Sequence, residues 1–106
     1  MSAHLNTHTT LSDESLLALM KSGELSAFNE IYKRHWMSLY NDTMSKLKKA
    51  EQAEQIIEEL FADLWLQRET REISQLYPYL LIRARYKVFD CYRKMKGTYA
   101  PIAGSL

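Results

Sequence analysis

Ala53, Ile56, Ile57, Leu60, Phe61, Leu64 and Trp65 recur at three- and four-residue steps without a break, and nothing else in the chain constrains its fold as tightly. On an α-helix these positions share one face, whereas a strand would scatter them over two. The opposite face shows Glu54, Gln55, Glu58, Glu59, Ala62 and Asp63. A helix this one-sided needs other elements to cover its apolar stripe, so Phe61 and Trp65 are expected to be structural. The preceding segment has the same period in Phe28, Ile31, Tyr32, His35, Leu39, Tyr40, Thr43, Met44 and Leu47. On such a face His35 reads as a hydrogen-bonded core histidine rather than a ligand or a base.

Helix boundaries are marked on both sides of these stripes. Ser12 is placed to cap a first helix opening with Asp13 and Glu14, whose charges suit the positive helix end. Leu11 and Leu16 fit a hydrophobic staple, Leu16, Leu19 and Met20 form a short stripe, and Gly23 is the expected stop. Ser26 is expected to start the second helix, whose negative end Lys46, Lys48 and Lys49 complement. A polar connection from Arg68 to Leu76 precedes a fourth helix with Pro78 in its first turn. There Leu81, Ala84, Val88, Cys91 and Met95 are expected to face inward. Arg83, Lys87 and Lys94 are expected to point outward, flanked by Tyr86, Phe89 and Arg93, with Gly97 ending the helix.

Three Gly and two Pro in 106 residues leave little material for the turns of an all-β fold. The expected fold is all-α: a compact helical bundle of three long helices plus a short N-terminal one. Residues 11–97 would form one domain, with 1–10 a disordered tail and 98–106 a tail or the start of a linker. No apolar run approaches the roughly 20 residues of a membrane span, and Met1 to Thr10 lacks the features of a signal peptide. The one cysteine, Cys91, can form no internal disulfide, which suits a reducing cytoplasm.

The formal net charge of +1 conceals a strong asymmetry. From Glu51 to Glu69 six acids stand against one base; from Arg83 to Lys96 six bases stand against one acid. Opposite fields on adjacent segments point to two different partners, one of them polyanionic. The competing reading is that the two faces only solvate their helices and pair with each other.

Reactive groups do not converge anywhere in the sequence, so no catalytic role and no cofactor are expected. His4 and His8 stand at helical spacing without a third ligand, Cys91 has no activating partner, and Glu-x-x-His pairs of the kind that hold a di-metal centre in a helical bundle do not occur. What remains is a basic helix with aromatic residues: Tyr77, Tyr79, Tyr86, Phe89 and Tyr92 interleaved with Arg83, Arg85, Lys87, Arg93 and Lys94. Cations neutralise phosphates, and rings offer stacking surfaces to unpaired bases. The tyrosines tilt the reading toward single-stranded or opened nucleic acid over a duplex, while Tyr79 and Tyr92 serve core packing equally well.

Three segments carry a resemblance: "SGELSAFNEIYKRHW", "EQAEQIIEELFADLW" and "YLLIRARYKVFDCYRK". Together, and in this order, they resemble conserved region 2 of the extracytoplasmic-function group of sigma-70 family sigma factors. The second is the most specific, similar to Asp-Ala-Glu-Asp-Leu-x-Gln-Glu-x-Phe-x-x-x-Trp. The resemblance implies a domain that docks on core RNA polymerase, at the coiled coil of the β′ clamp, through Gln55, Glu58, Glu59 and Asp63. It further implies that the loop and the basic helix hold the non-template strand of the promoter −10 element through Arg71, Ser74, Gln75, Arg83, Arg85, Tyr86, Lys87, Arg93 and Lys94. An anti-sigma factor is a further implied partner. Glu58 stands where that family has Gln, and Tyr86 where it has Asn. The family's second half, which reads the −35 duplex, has no counterpart here, so either an excised domain or a shortened protein is expected, the first before the second. Two rivals remain: a protein-interaction module that occupies polymerase or an anti-sigma factor without DNA activity, and a duplex-binding helical domain. The first has no need of the cations from Arg83 to Lys96, and the second no need of the acidic third helix.

Overall fold

The computed structural model describes residues 8–96, which fold into four α-helices: α1 (Asp13–Lys21), α2 (Leu25–Leu47), α3 (Ala50–Leu66) and α4 (Leu76–Lys96). The fold is an all-α bundle with three long helices and one short leading helix, as expected. Among the described residues there is no strand, and no helix is long and apolar enough to cross a membrane. The expectations for His4, for Gly97 as a helix stop and for 98–106 fall outside the described residues.

Local signals set the first helix. The Ser12 hydroxyl accepts from the Ser15 backbone N–H at 3.1 Å, satisfying one of the donors that a helix start leaves open. At the other end Gly23 adopts a left-handed φ of 101°. Its N–H donates to the Met20 carbonyl at 2.8 Å and that of Glu24 to the Leu19 carbonyl at 3.0 Å, a Schellman closure that turns the chain into α2. Helix α2 begins one residue earlier than Ser26, whose hydroxyl donates instead to the Glu24 carboxylate at 3.1 Å.

The leading segment departs from a disordered tail over residues 8–10, which form one 3₁₀ turn. Arg34 of α2 holds it there: one guanidinium nitrogen lies 3.0 Å from the Leu11 carbonyl and 2.9 Å from Asp13 Oδ1, and the other 3.1 Å from Glu30. His8 is paired with Glu24 at 2.9 Å. His35 is paired with Asp13 at 3.0 Å, as its place on a mostly apolar face predicts.

Helix α2 packs against all three others. The core runs through Leu16 and Met20 of α1, Ala27, Ile31, Leu39 and Leu47 of α2, the stripe from Ala53 to Leu64 of α3, and Leu76, Leu80, Ala84 and Val88 of α4. Phe28 fits between Phe61 and Trp65, with ring centroids 6.3 and 5.4 Å away, an arrangement in which ring edges meet ring faces. The expected face of α4 needs three corrections. Leu76, assigned to the polar connection, starts the helix and is buried; Leu80 is fully buried whereas Leu81 is half-buried. Met95 is 51% exposed instead of facing inward. The Tyr92 hydroxyl donates to the Lys46 carbonyl, so Tyr92 is level with the last turn of α2 and Met95 sits beyond that corner.

Among the described residues Thr43 is the one buried polar residue of the core, and its hydroxyl has no partner there. A buried hydroxyl without a hydrogen bond costs about 1–3 kcal/mol. Thr43→Val keeps the shape and removes that cost, so it should stabilise the domain by about 1 kcal/mol, read as a higher urea midpoint at unchanged slope.

Candidate functional site

Helices α3 and α4 lie side by side and bring the acidic and basic segments together. Their apolar stripes face the core, so what remains outside is the polar flank of α3, the outer face of α4 and the Gln67–Gln75 connection between them.

The four residues assigned to polymerase docking lie along the solvent side of α3 and divide into two sets. Glu58 leans toward α2, where its carboxylate accepts from the Tyr32 hydroxyl at 3.0 Å. Burial pushes the pKa of that hydroxyl up, and the bond to Glu58 and its charge add to the rise. Gln55, Glu59 and Asp63 border α4 instead. Gln55 donates to Glu59 at 3.4 Å, and Lys87 of α4 reaches Asp63 at 3.2 Å and Glu59 at 3.5 Å. Lys87 was expected to point outward. It is a flank residue beside the buried Ala84 and Val88, and its side chain, only 23% exposed, lies in the groove between the two helices. The groove measures about 310 Å³, with Gln52, Ile56, Asp90, Cys91 and Lys94 completing its walls.

Other cations of α4 are also engaged. Arg85 makes two bonds to Asp42 of α2, from Nε at 3.2 Å and from Nη2 at 3.0 Å. The hydrogen bond from Arg85 holds the Asp42 carboxyl below the usual carboxylate range, with Lys46 contributing. Arg93 pairs with Asp90 at 3.3 Å in an exposed position, with its guanidinium 6.0 Å from the Phe89 ring centre. Arg83 and Lys94 have no acidic partner among the described residues; Arg83 lies 6.0 Å from the Tyr79 ring. Of these pairs only Lys87 with Glu59 and Asp63 joins the two opposed segments, which is the competing reading of the charge asymmetry in part.

The aromatic residues divide cleanly. Tyr77 and Tyr79 are half-buried against the core, and the Tyr77 hydroxyl meets Ser38 at 2.6 Å. Tyr86 and Phe89 stand out into solvent at 63% and 60% exposure, with Ile82 at 55%. Tyr92 is 40% exposed, with its hydroxyl on the Lys46 carbonyl. Ile82, Tyr86 and Phe89 follow one another at helical spacing on the face opposite the buried stripe. The loop arranges its residues more loosely. Arg71 donates to Gln67, Arg68 lies 4.0 Å over the Trp65 ring, and Ser74 and Gln75 are exposed at the entry to α4. Below them, Lys21, Arg68, Arg71, Glu72 and Ile73 border a small cleft of about 90 Å³ against α1.

Two site residues, Asp42 and Ile82, were not singled out from sequence, whereas Tyr86 and Phe89 stand outward as expected. Asp42 carries no motif, and its partner Arg85 is 43 residues away. The exposed stripe of Ile82, Tyr86 and Phe89 was visible as a second three- and four-residue period in α4, out of phase with the first. Among the described residues no group of three or more His, Cys, Asp and Glu side chains is placed to hold a metal ion. No protein-family model, no curated protein and no solved structure matches this chain.

Proposed function

We propose that this chain is a transcription-initiation domain of sigma region 2 type, in which the outer face of α3 docks on core RNA polymerase and α4 with its preceding loop holds the unpaired non-template strand of the −10 element. The observation that carries this reading is the outer face of α4. A bundle that encloses Phe61 leaves Tyr86, Phe89 and Ile82 in water, with Arg83 and Arg93 on the same helix. Rings stack on any base once it is unpaired, and cations track the phosphates. The resemblance of the three segments supplies the polymerase side, and an anti-sigma factor covering the same faces belongs to the same proposal.

The strand reading is tested by fluorescence anisotropy with single-stranded, scrambled and duplex oligonucleotides at two salt concentrations. The single strand should bind more tightly than the duplex. Its affinity should fall with salt at a log–log slope of about −2 to −3, the slope of about three or four phosphate contacts of the kind that Arg83, Arg93 and Lys94 can supply. Arg83→Glu with Lys94→Glu should weaken all sequences alike, whereas changes at Ser74 and Gln75 should erode the preference for the cognate base. Equal affinity for duplex and single strand, or a flat salt response, would remove the strand reading.

One observation favours the rival protein-interaction module. Lys87 is held by Glu59 and Asp63, Arg85 by Asp42 and Arg93 by Asp90, so among the described residues three bases of this segment have acidic partners. The flat salt response above is the result that this rival predicts.

A further inference from the structure

Ile82, Tyr86 and Phe89 share an open recess of about 450 Å³ with one charged residue, Arg85. A guanidinium beside exposed rings is ordinarily read as a phosphate contact. Here its donors are turned elsewhere. Nε and Nη2 form a fork on the two oxygens of Asp42, the bidentate geometry in which a guanidinium is most firmly oriented. Asp42 is itself fixed: its side chain is only 20% exposed, and Lys46 Nζ lies 3.1 Å from Oδ1. An arginine whose charge is balanced and whose donor edge is occupied is a weak phosphate ligand, but its planar face remains available for stacking.

We infer that Asp42 is a positioning residue of the strand-binding face, which holds Arg85 as a flat wall of the Ile82–Tyr86–Phe89 recess so that a base seated there stacks on guanidinium and rings together. This inference rests on the strand-binding reading and specifies which chemical part of the strand the recess takes: the base, not the phosphate. An unheld arginine would have to be ordered when the base arrives, and Asp42 removes that cost beforehand.

Charge and positioning predict opposite signs for one substitution. Asp42→Asn removes a negative charge and releases both Arg85 and Lys46, so electrostatics alone demands tighter binding of any nucleic acid. Loss of the positioned wall demands weaker binding of a strand that carries bases. The experiment compares a short DNA strand with the same strand bearing abasic sites, titrated against the full chain. The wild type should prefer the base-bearing strand by about tenfold or more. Asp42→Asn should weaken that strand by about fivefold and leave the abasic strand unchanged or slightly tighter.

Asp42→Glu, which can re-form the fork, should restore part of the preference. Arg85→Lys keeps the charge, loses the plane and leaves α2 intact; it should lose affinity for the base-bearing strand alone, which covers the case that Asp42→Asn disturbs folding. If Asp42→Asn tightens both strands equally, Asp42 only opposes phosphates and the positioning role is overturned. If the wild type binds both strands equally, base stacking on α4 fails and this inference fails with it.

Discussion

Replacing Phe61 with alanine should lower the unfolding free energy by about 3–5 kcal/mol, a large fraction of what a domain of this size has to lose. The ring is 2% exposed at the centre of the bundle. It meets Tyr32 at a centroid distance of 4.8 Å and Phe28 at 6.3 Å, so removal leaves a void bounded by ring edges that cannot collapse onto one another. Urea unfolding followed by circular dichroism reads the effect. Trp65, expected from the same stripe to be equally structural, is half-buried, with Phe28 on one side and the Arg68 guanidinium on the other. Its truncation should cost about 2 kcal/mol, because part of its surface already meets water and Arg68 can settle over the gap. A Phe61→Ala variant that unfolds within about 1 kcal/mol of the parent would show that the stripe does not face the core.

The same comparison shows what periodicity can and cannot reveal. Helix α3 was legible because it has one apolar stripe and one polar face, so its inward direction has a single solution. Helix α4 has two apolar stripes. Leu76, Leu80, Ala84 and Val88 face the core, while Ile82, Tyr86 and Phe89 face water. Spacing alone cannot say which stripe the bundle takes, and the expected inward face fell one position off at Leu81 and one turn too far at Met95. Charge behaved similarly. Segment sums revealed two opposed fields, but which side chains cancel is decided by how α3 lies against α4 and α4 against α2. Lys87 against Asp63, and Arg85 against Asp42, join residues far apart in sequence that only the packed bundle brings together. The candidate site was thus legible as a list of residues and not as a division of labour among them.

That division of labour shapes what should happen when the docking face is inverted. Changing Gln55, Glu58 and Glu59 together to lysine should abolish binding to core polymerase. Each glutamate swings by two charges and Gln55 by one, all on the exposed side of a single helix, and a complementary partner surface that was attracted becomes repelled. The fold should survive with a small loss. Glu58→Lys removes the acceptor of the Tyr32 hydroxyl, and Glu59→Lys sets a like charge beside Lys87, leaving Asp63 as its remaining partner. Exposed interactions of this kind contribute about 0.2–1 kcal/mol each, and the buried stripe on the opposite side of α3 is untouched. The melting temperature should therefore fall by several degrees while helicity is retained. Glu58→Gln with Glu59→Gln separates lost attraction from added repulsion and should weaken polymerase binding by about tenfold without abolishing it. Co-purification with core polymerase, alongside thermal unfolding of each variant, reads both outcomes. A folded triple-lysine variant that still co-purifies at the wild-type level would place the docking surface elsewhere on the bundle.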